Sequence, residues 1–388
     1  MNIAKSSKYN IKIDYEKSYG SFVYDKNTKR YYLDFFGMYA SLPLGYSHEI
    51  FKTEEFINEM SRVASIKVNN CEFVSDESLE FDKNFSSFCG KGIFKHFHYC
   101  CTGALAVEAA IKTCIEYKAH KDPKILSFNN SFHGINSYGG FVTSRFPGAD
   151  KRLDGFPEIF SIKLDCELSQ VEDALINNDI TCVLVEPIQC SAGDIHYDLS
   201  FFSGLRTLCD LYNVPLVFDE IQTGFGATGS LWYYETTGII PDIVIFGKKT
   251  QLSGIMVREV LGEIFKPGKG IRLEVTWDGD VADMVRCKYI IKAYEKYNIL
   301  ENVCEVGEFL AESLKTIKEI EDVRHAGLLI GFDLKDREQR DKIVKSLFNN
   351  GVICNSTGQR SIRLRPSLNL KLEDAKLGFE IIKQVIEK

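Results

Sequence analysis

The stretch PLVFDEIQTGFGATGSLWYYETTGIIPDIVIFGKKTQLSG, residues 215–254, decides how this 388-residue chain is to be read. Its apolar runs Leu216 to Phe218 and Ile243 to Phe246 have the length of short buried strands bounded by turn-forming residues. Asp219 ends the first run and Lys248 follows the second, so two strand ends deliver a carboxylate and an amine 29 residues apart. Ligands of open parallel sheets sit beyond the carboxyl ends of the strands, and the pair therefore predicts a site.

Working outward, short apolar runs alternate with helical patterns. A helix is expected from Ala104 to Tyr117, strands at Lys124 to Phe128 and Cys182 to Val185, and a helix from Phe201 to Tyr212. Such alternation predicts an α/β domain with a largely parallel sheet. Residues 1–45, with the strand-like pieces GSFVYD and RYYLDFF, read as an N-terminal arm or part of a smaller domain. Residues 46–280 form the expected large domain. Residues 281–388 read as a smaller α+β domain, with one long amphipathic helix from Ala282 to about Lys318, a helix near 337–349 and the strand-like SIRLRPSL.

Composition narrows the function. With 45% hydrophobic and 26% charged residues the chain has a globular composition, and a net charge of −7 gives no footprint for nucleic acid or an anionic membrane. No apolar run approaches the ~20 residues that cross a bilayer, so a cytoplasmic protein is expected. Twelve cysteines without a C-x-x-C pair do not form a disulfide or zinc framework. A small-molecule site is the remaining expectation.

Four strand ends carry polar groups: Phe132-His133-Gly134 after ILSF, Glu186 after VLV, Asp219 after LVF and Lys248 after IVIFG. Ahead of them, Cys100 to Ala104 open the helix ALAVEAAIKTCIEY, whose free N–H groups and positive dipole end suit a phosphate. A cofactor with a phosphate that needs a lysine and a deep acid is pyridoxal phosphate: lysine forms a Schiff base with its aldehyde, and its ring nitrogen takes an acidic partner. At ~3 Å and an effective dielectric of ~20, carboxylate and pyridinium attract by roughly 5 kcal/mol before desolvation. GFGATG, residues 224–229, formally matches G-x-G-x-x-G, but Glu220 to Thr223 separate it from the strand and the following residues break a helix. KPGKG is a turn rather than a P-loop, and no His/Cys/Asp group has metal-ligand spacing.

FDEIQTGFGATG followed by PDIVIFGKKTQ resembles the signature of class III aminotransferases of the pyridoxal-phosphate fold type I, the aspartate aminotransferase-like fold with a seven-stranded, mostly parallel sheet and a smaller α+β domain. GALAVEAAIK, FHG, EPIQ, VTWDGD and IRLRPSL follow in the family's order. Within it, GALAVE and FGKKTQ look most like the L-lysine 6-aminotransferases. The resemblance implies Lys248 as the Schiff-base lysine, Asp219 on the pyridine nitrogen, Gln222 near the ring hydroxyl and Phe132 stacked on the ring. It implies Gly103 and Ala104 as phosphate-binding backbone, Glu186 as part of the cofactor site, and Thr276 as a phosphate ligand from the partner of a homodimer with active sites at the interface.

Two departures concern the substrate. Ile135 stands where the resembled enzymes have the arginine of F-H-G-R, and Ser191 stands where E-P-I-Q-G-E-G-G has its second glutamate, the partner of the residue matching Arg363. Losing one partner of a buried charge pair costs about 2–5 kcal/mol, roughly thirtyfold or more in affinity, so glutamate or 2-oxoglutarate is expected to be held poorly. An unclamped carboxylate can be released when its bond stands perpendicular to the ring. The expectation is an α-decarboxylase of a small anionic amino acid, for example O-phospho-L-serine to ethanolamine phosphate, with Arg145, Lys151 and Arg152 as phosphate-binding candidates; the alternative is an ω-aminotransferase with altered donor and acceptor.

Overall fold

A computed structural model describes residues 9–68, 73–144, 161–266 and 273–388. Seven strands form one sheet in the order Phe94–Cys100, Ser253–Arg258, Ile243–Phe246, Leu216–Asp219, Ile180–Val185, Lys124–Phe128, Ser161–Leu164. Only Ser253–Arg258 runs against its neighbours. This is the expected α/β fold with a mostly parallel seven-stranded sheet.

Alternation of side chains across the pleat divides the sheet's residues between two apolar clusters. Leu126, Phe128, Val183, Val185, Leu216, Phe218, Val244, Phe246 and Met256 join one; Ile125, Cys182, Leu184, Val217, Ile243, Ile245, Ile255 and Val257 join the other. Both faces are thus covered, the second by the helix Gly103–Lys118 with its buried Ala106, Val107, Ala110, Ile111 and Cys114. Strands buried on both sides read as continuous apolar runs, which is why ITCVLV and IVIF stand out in the sequence.

The G-x-G-x-x-G match at Gly224–Gly229 opens no helix. It lies in a run of turns folded around Glu220, whose buried carboxylate accepts the N–H groups of Tyr233 at 2.6 Å and Tyr234 at 2.9 Å and the Thr223 hydroxyl at 3.1 Å. A Cβ at Gly224 would come within 2.5 Å of the Trp232 ring, so that glycine serves packing.

Beyond residue 280 the expected single long helix is two, Val281–Tyr297 and Ile299–Leu314. Asn298 breaks them with φ of 48°, a left-handed conformation that asparagine tolerates better than most residues. A four-stranded antiparallel sheet follows, in the order Glu321–Ala326, Leu329–Asp333, Ser361–Leu364, Asn355–Thr357. The N-terminal strands Phe22–Asp25 and Arg30–Asp34 pair with each other, and the second continues in parallel to Val352–Ile353 of the tail. Arg145, Lys151 and Arg152 lie outside the described residues. Among the described residues, no helix is long and apolar enough to cross a membrane.

Candidate active site

Four neighbouring parallel strands, at Ile243–Phe246, Leu216–Asp219, Ile180–Val185 and Lys124–Phe128, bring Lys248, Asp219, Glu186 and Phe132 to one edge of the sheet. Strands lie about 4.8 Å apart, so residues spread over more than a hundred positions of sequence meet within roughly 15 Å. The edge strand Phe94–Cys100 runs the same way and adds Cys101 to Ala104. Together they line a cavity of about 710 Å³, which also takes Gln222, Ile135, Ile188, Ile221, Gln251 and, at the start of helix Val281–Tyr297, the ion-paired Asp283 and Arg286.

Lys248 opens a short 3-10 turn, Lys248–Thr250, with φ of 54°, and its carbonyl accepts the Gln251 N–H at 2.8 Å. Burial, then the nearby Arg363 guanidinium, pull its amine from the ordinary lysine range down to about 8. Lys249 points elsewhere. It is 3% exposed, donates to the carbonyls of Leu42 at 3.4 Å and Pro366 at 3.5 Å, and does not line the cavity. Burial and Arg365 bring its amine down to about 7. The turn separates two adjacent lysines by sending one side chain into the cavity and the other into the junction with the tail.

Asp219 is 5% exposed, and its carboxylate accepts the Ile221 N–H at 3.2 Å through Oδ1. Oδ2 lies 2.9 Å from Nδ1 of the buried His133 and, as a carboxylate oxygen, accepts the ring N–H. This partnership was not read from the sequence, where His133 was only the middle of F-H-G; its signal is the same strand-end position that exposes Phe132. Glu186 Oε1 accepts the Phe132 N–H at 3.2 Å, while Oε2 is buried without a hydrogen-bond partner among the described residues. Burial and the neighbouring Asp219 push the Glu186 carboxyl well above the usual carboxylate range.

Gly103 and Ala104 begin helix Gly103–Lys118 at the cavity, where Thr102 makes no side-chain cap. The first N–H groups of a helix lack intrahelical partners and are available to an anion. Gly134, with φ of 108°, lets the chain pass beside Ala104. The substrate-related residues are divided. Ile135 is on the cavity rim and 76% exposed. Arg363, on strand Ser361–Leu364, donates to the Cys190 carbonyl at 3.2 Å, and Ser191 sits in the turn Cys190–Ala192; neither belongs to the cavity wall. Thr276 is on an exposed turn, likewise outside this chain's cavity.

The sequence model of the family described as aminotransferase class-III matches residues 3–386. The chain belongs to the class-III aminotransferases. Among class-III relatives it is 31% identical to the L-lysine-epsilon aminotransferase of Amycolatopsis lactamdurans, over 96% of this chain and 91% of that one. It is also 31% identical to the acetylornithine/succinyldiaminopimelate aminotransferase of Buchnera aphidicola over 96% and 91% of the two chains. The solved lysine aminotransferase of Mycobacterium tuberculosis superposes with a TM-score of 0.91 at 28% identity, covering 99% of this chain and 96% of that one.

A class-III aminotransferase uses pyridoxal phosphate carried on a lysine. The cavity fits that group: a capless helix start for a phosphate, a buried acid held by two donors for a ring nitrogen, and an amine of lowered basicity for an aldehyde. Neither the family nor these relatives points to a decarboxylase, and they support the aminotransferase alternative better than the leading expectation of a decarboxylase.

Proposed function

We propose that this chain is an ω-aminotransferase that accepts the terminal amine of a small diamino or ω-amino acid, with L-lysine the first donor to test, and an amino acceptor other than 2-oxoglutarate. The observation that carries the reading is the delivery of Lys248 and Asp219 by adjacent parallel strands to the floor of a 710 Å³ cavity. Bound there, pyridoxal phosphate supplies an electron sink for a bond broken at the amine-bearing carbon.

The chain's own residues divide the remaining work. Asp219, oriented by His133 and Ile221, holds the proton on the ring nitrogen. Gly103 and Ala104 offer backbone N–H groups to the phosphate, and Phe132 covers a ring face. Glu186 and Gln222 complete the polar wall. Lys248 anchors the cofactor, then takes and returns the proton of the substrate carbon. Its lowered basicity leaves more of the amine neutral near pH 7 than an ordinary lysine would have. Thr276, exposed here, reaches the phosphate of the second subunit in a homodimer.

The altered acceptor rests on Ile135 and Ser191. A sec-butyl group on the rim gives a carboxylate no partner there, and a serine cannot shield Arg363 as a glutamate would. The same Ile135 favours a second reading, α-decarboxylation of a small anionic amino acid such as O-phospho-L-serine. One assay tests both: holoenzyme is incubated with L-lysine, L-ornithine and O-phospho-L-serine, each with a panel of 2-oxo acids, and amino-group transfer and CO2 are measured together. Transfer without CO2 is expected, and CO2 without transfer would overturn the aminotransferase reading.

A further inference from the structure

We infer that Asp278 is a positioning residue that fixes the turn presenting Thr276, and through it sets how firmly the second subunit's site holds the phosphate of the cofactor. The inference rests on the reading of Thr276 given above.

Residues 275–278 form a tight turn whose outer members face solvent: Val275 is 42% exposed, Trp277 49%, and Thr276 is exposed between them. Asp278 sits at its base and is 1% exposed. Its Oδ2 accepts the Val275 N–H at 2.9 Å while its own N–H donates to the Val275 carbonyl at 3.1 Å, so side chain and backbone close the turn together. Asp278 also bridges to Cys100, and the Gly279 N–H donates to the Tyr99 carbonyl at 3.2 Å. His98 Nε2 lies 3.9 Å from the other carboxylate oxygen. The turn is therefore bolted to the end of strand Phe94–Cys100.

Burying a carboxylate is unfavourable unless its oxygens are held, and here Oδ2 is held by the turn's own Val275 N–H while the backbone on either side is held by the strand beneath. The apex gains no burial from that rigidity; it gains a fixed direction for Thr276. The same strand end continues into Cys101, Thr102 and Gly103, the start of this chain's own phosphate cradle. In a two-fold dimer, the cradle a subunit keeps and the threonine it lends would thus share one anchor.

The test titrates apoenzyme with pyridoxal phosphate, reads Kd from cofactor absorbance, and follows dimer content by sedimentation. Thr276→Ala is expected to weaken Kd about ten- to a hundredfold, the range for a hydrogen bond to a charged group. Asp278→Ala should weaken it about tenfold, whereas Asp278→Asn, which keeps an acceptor for the Val275 N–H, stays within about threefold. The double variant Asp278→Ala/Thr276→Ala should be no weaker than Thr276→Ala alone, since both act through one contact. In apoenzyme, hydrogen exchange of the Val275 amide should quicken at least about tenfold in Asp278→Ala and stay slow in Asp278→Asn. Asp278→Leu replaces the alanine variant if that one does not fold. Multiplicative losses in the double variant, or an unchanged Kd in Asp278→Ala beside a weakened Thr276→Ala, overturn the inference and leave the role of Thr276 standing. An unchanged Kd in Thr276→Ala sinks both.

Discussion

The floor of the cavity and its rim are built by different means. The floor comes from four adjacent strand ends whose spacing is fixed by backbone hydrogen bonds, and its key groups, Lys248, Asp219 and Glu186, have their orientation set by turns and buried partners. The rim comes from the loop at Ile135 and the helix start with Asp283 and Arg286, while the turn Cys190–Ala192 and the tail strand with Arg363 lie outside the cavity wall. A strand end can change only with its neighbours, while a loop residue changes alone. The groups expected to hold the cofactor, Lys248, Asp219 and Glu186, accordingly gather on the floor, whereas of the two residues expected to bear on the substrate Ile135 lies on the rim and Ser191 outside the cavity wall.

The sharpest way to break this contrast is to exchange the two lysines. Lys248→Ala should lower turnover by at least about three orders of magnitude, since it removes both the anchor and the proton carrier, whereas Lys249→Ala should leave the anchor in place. Borohydride reduction of holoenzyme followed by peptide mapping should label Lys248 and not Lys249; label on Lys249 would reverse the division drawn above. Next in size, Asp219→Asn should lower kcat by about 10²–10³ with little change in fold, because an amide cannot hold the ring nitrogen's proton by charge. Steady-state kinetics and circular dichroism check it.

On the rim, effects should be smaller and confined to specificity. Ile135→Arg should lower KM for 2-oxoglutarate about ten- to thirtyfold while leaving the cofactor's absorbance unchanged. A spectral change without a KM change would mean that the rim and floor are not separable.

The last effect expected is one of stability. Lys248 and Lys249 have amines lowered to about 8 and about 7, so between those values and about 10.5 the unfolded chain binds more protons than the folded one. Stability of the apoprotein should therefore rise with pH from about 7 to 10.5. Lys249→Met should flatten the lower part of that rise, seen as a smaller gain in Tm between pH 7 and 9; an unchanged slope would refute the buried, depressed amine.

Much of the floor was legible because strand-end chemistry is periodic and local: an apolar run followed by one polar group can be read without knowing what lies beside it. The two-cluster alternation in Ile125–Phe128 or Ile243–Phe246 carries the sheet in the same way. Other features depend on long-range packing. His133 became the partner of Asp219 only once two strands 86 residues apart in sequence met. Asn298 broke a helix that apolar spacing alone would continue, since the left-handed break leaves the amphipathic pattern on both sides. The position of Arg363 behind Cys190 needed the tail sheet to be docked on the large one.

One feature of the architecture bears on how the chain is made. Strand Arg30–Asp34 finds its second sheet neighbour only much later in the sequence, at Val352–Ile353. On a ribosome adding about 5–20 residues per second, that edge waits at least some fifteen seconds for its partner. The large sheet, complete by Arg258, can be assembled in the meantime, so the order of synthesis favours building the cavity floor first and pairing Arg30–Asp34 with Val352–Ile353 last.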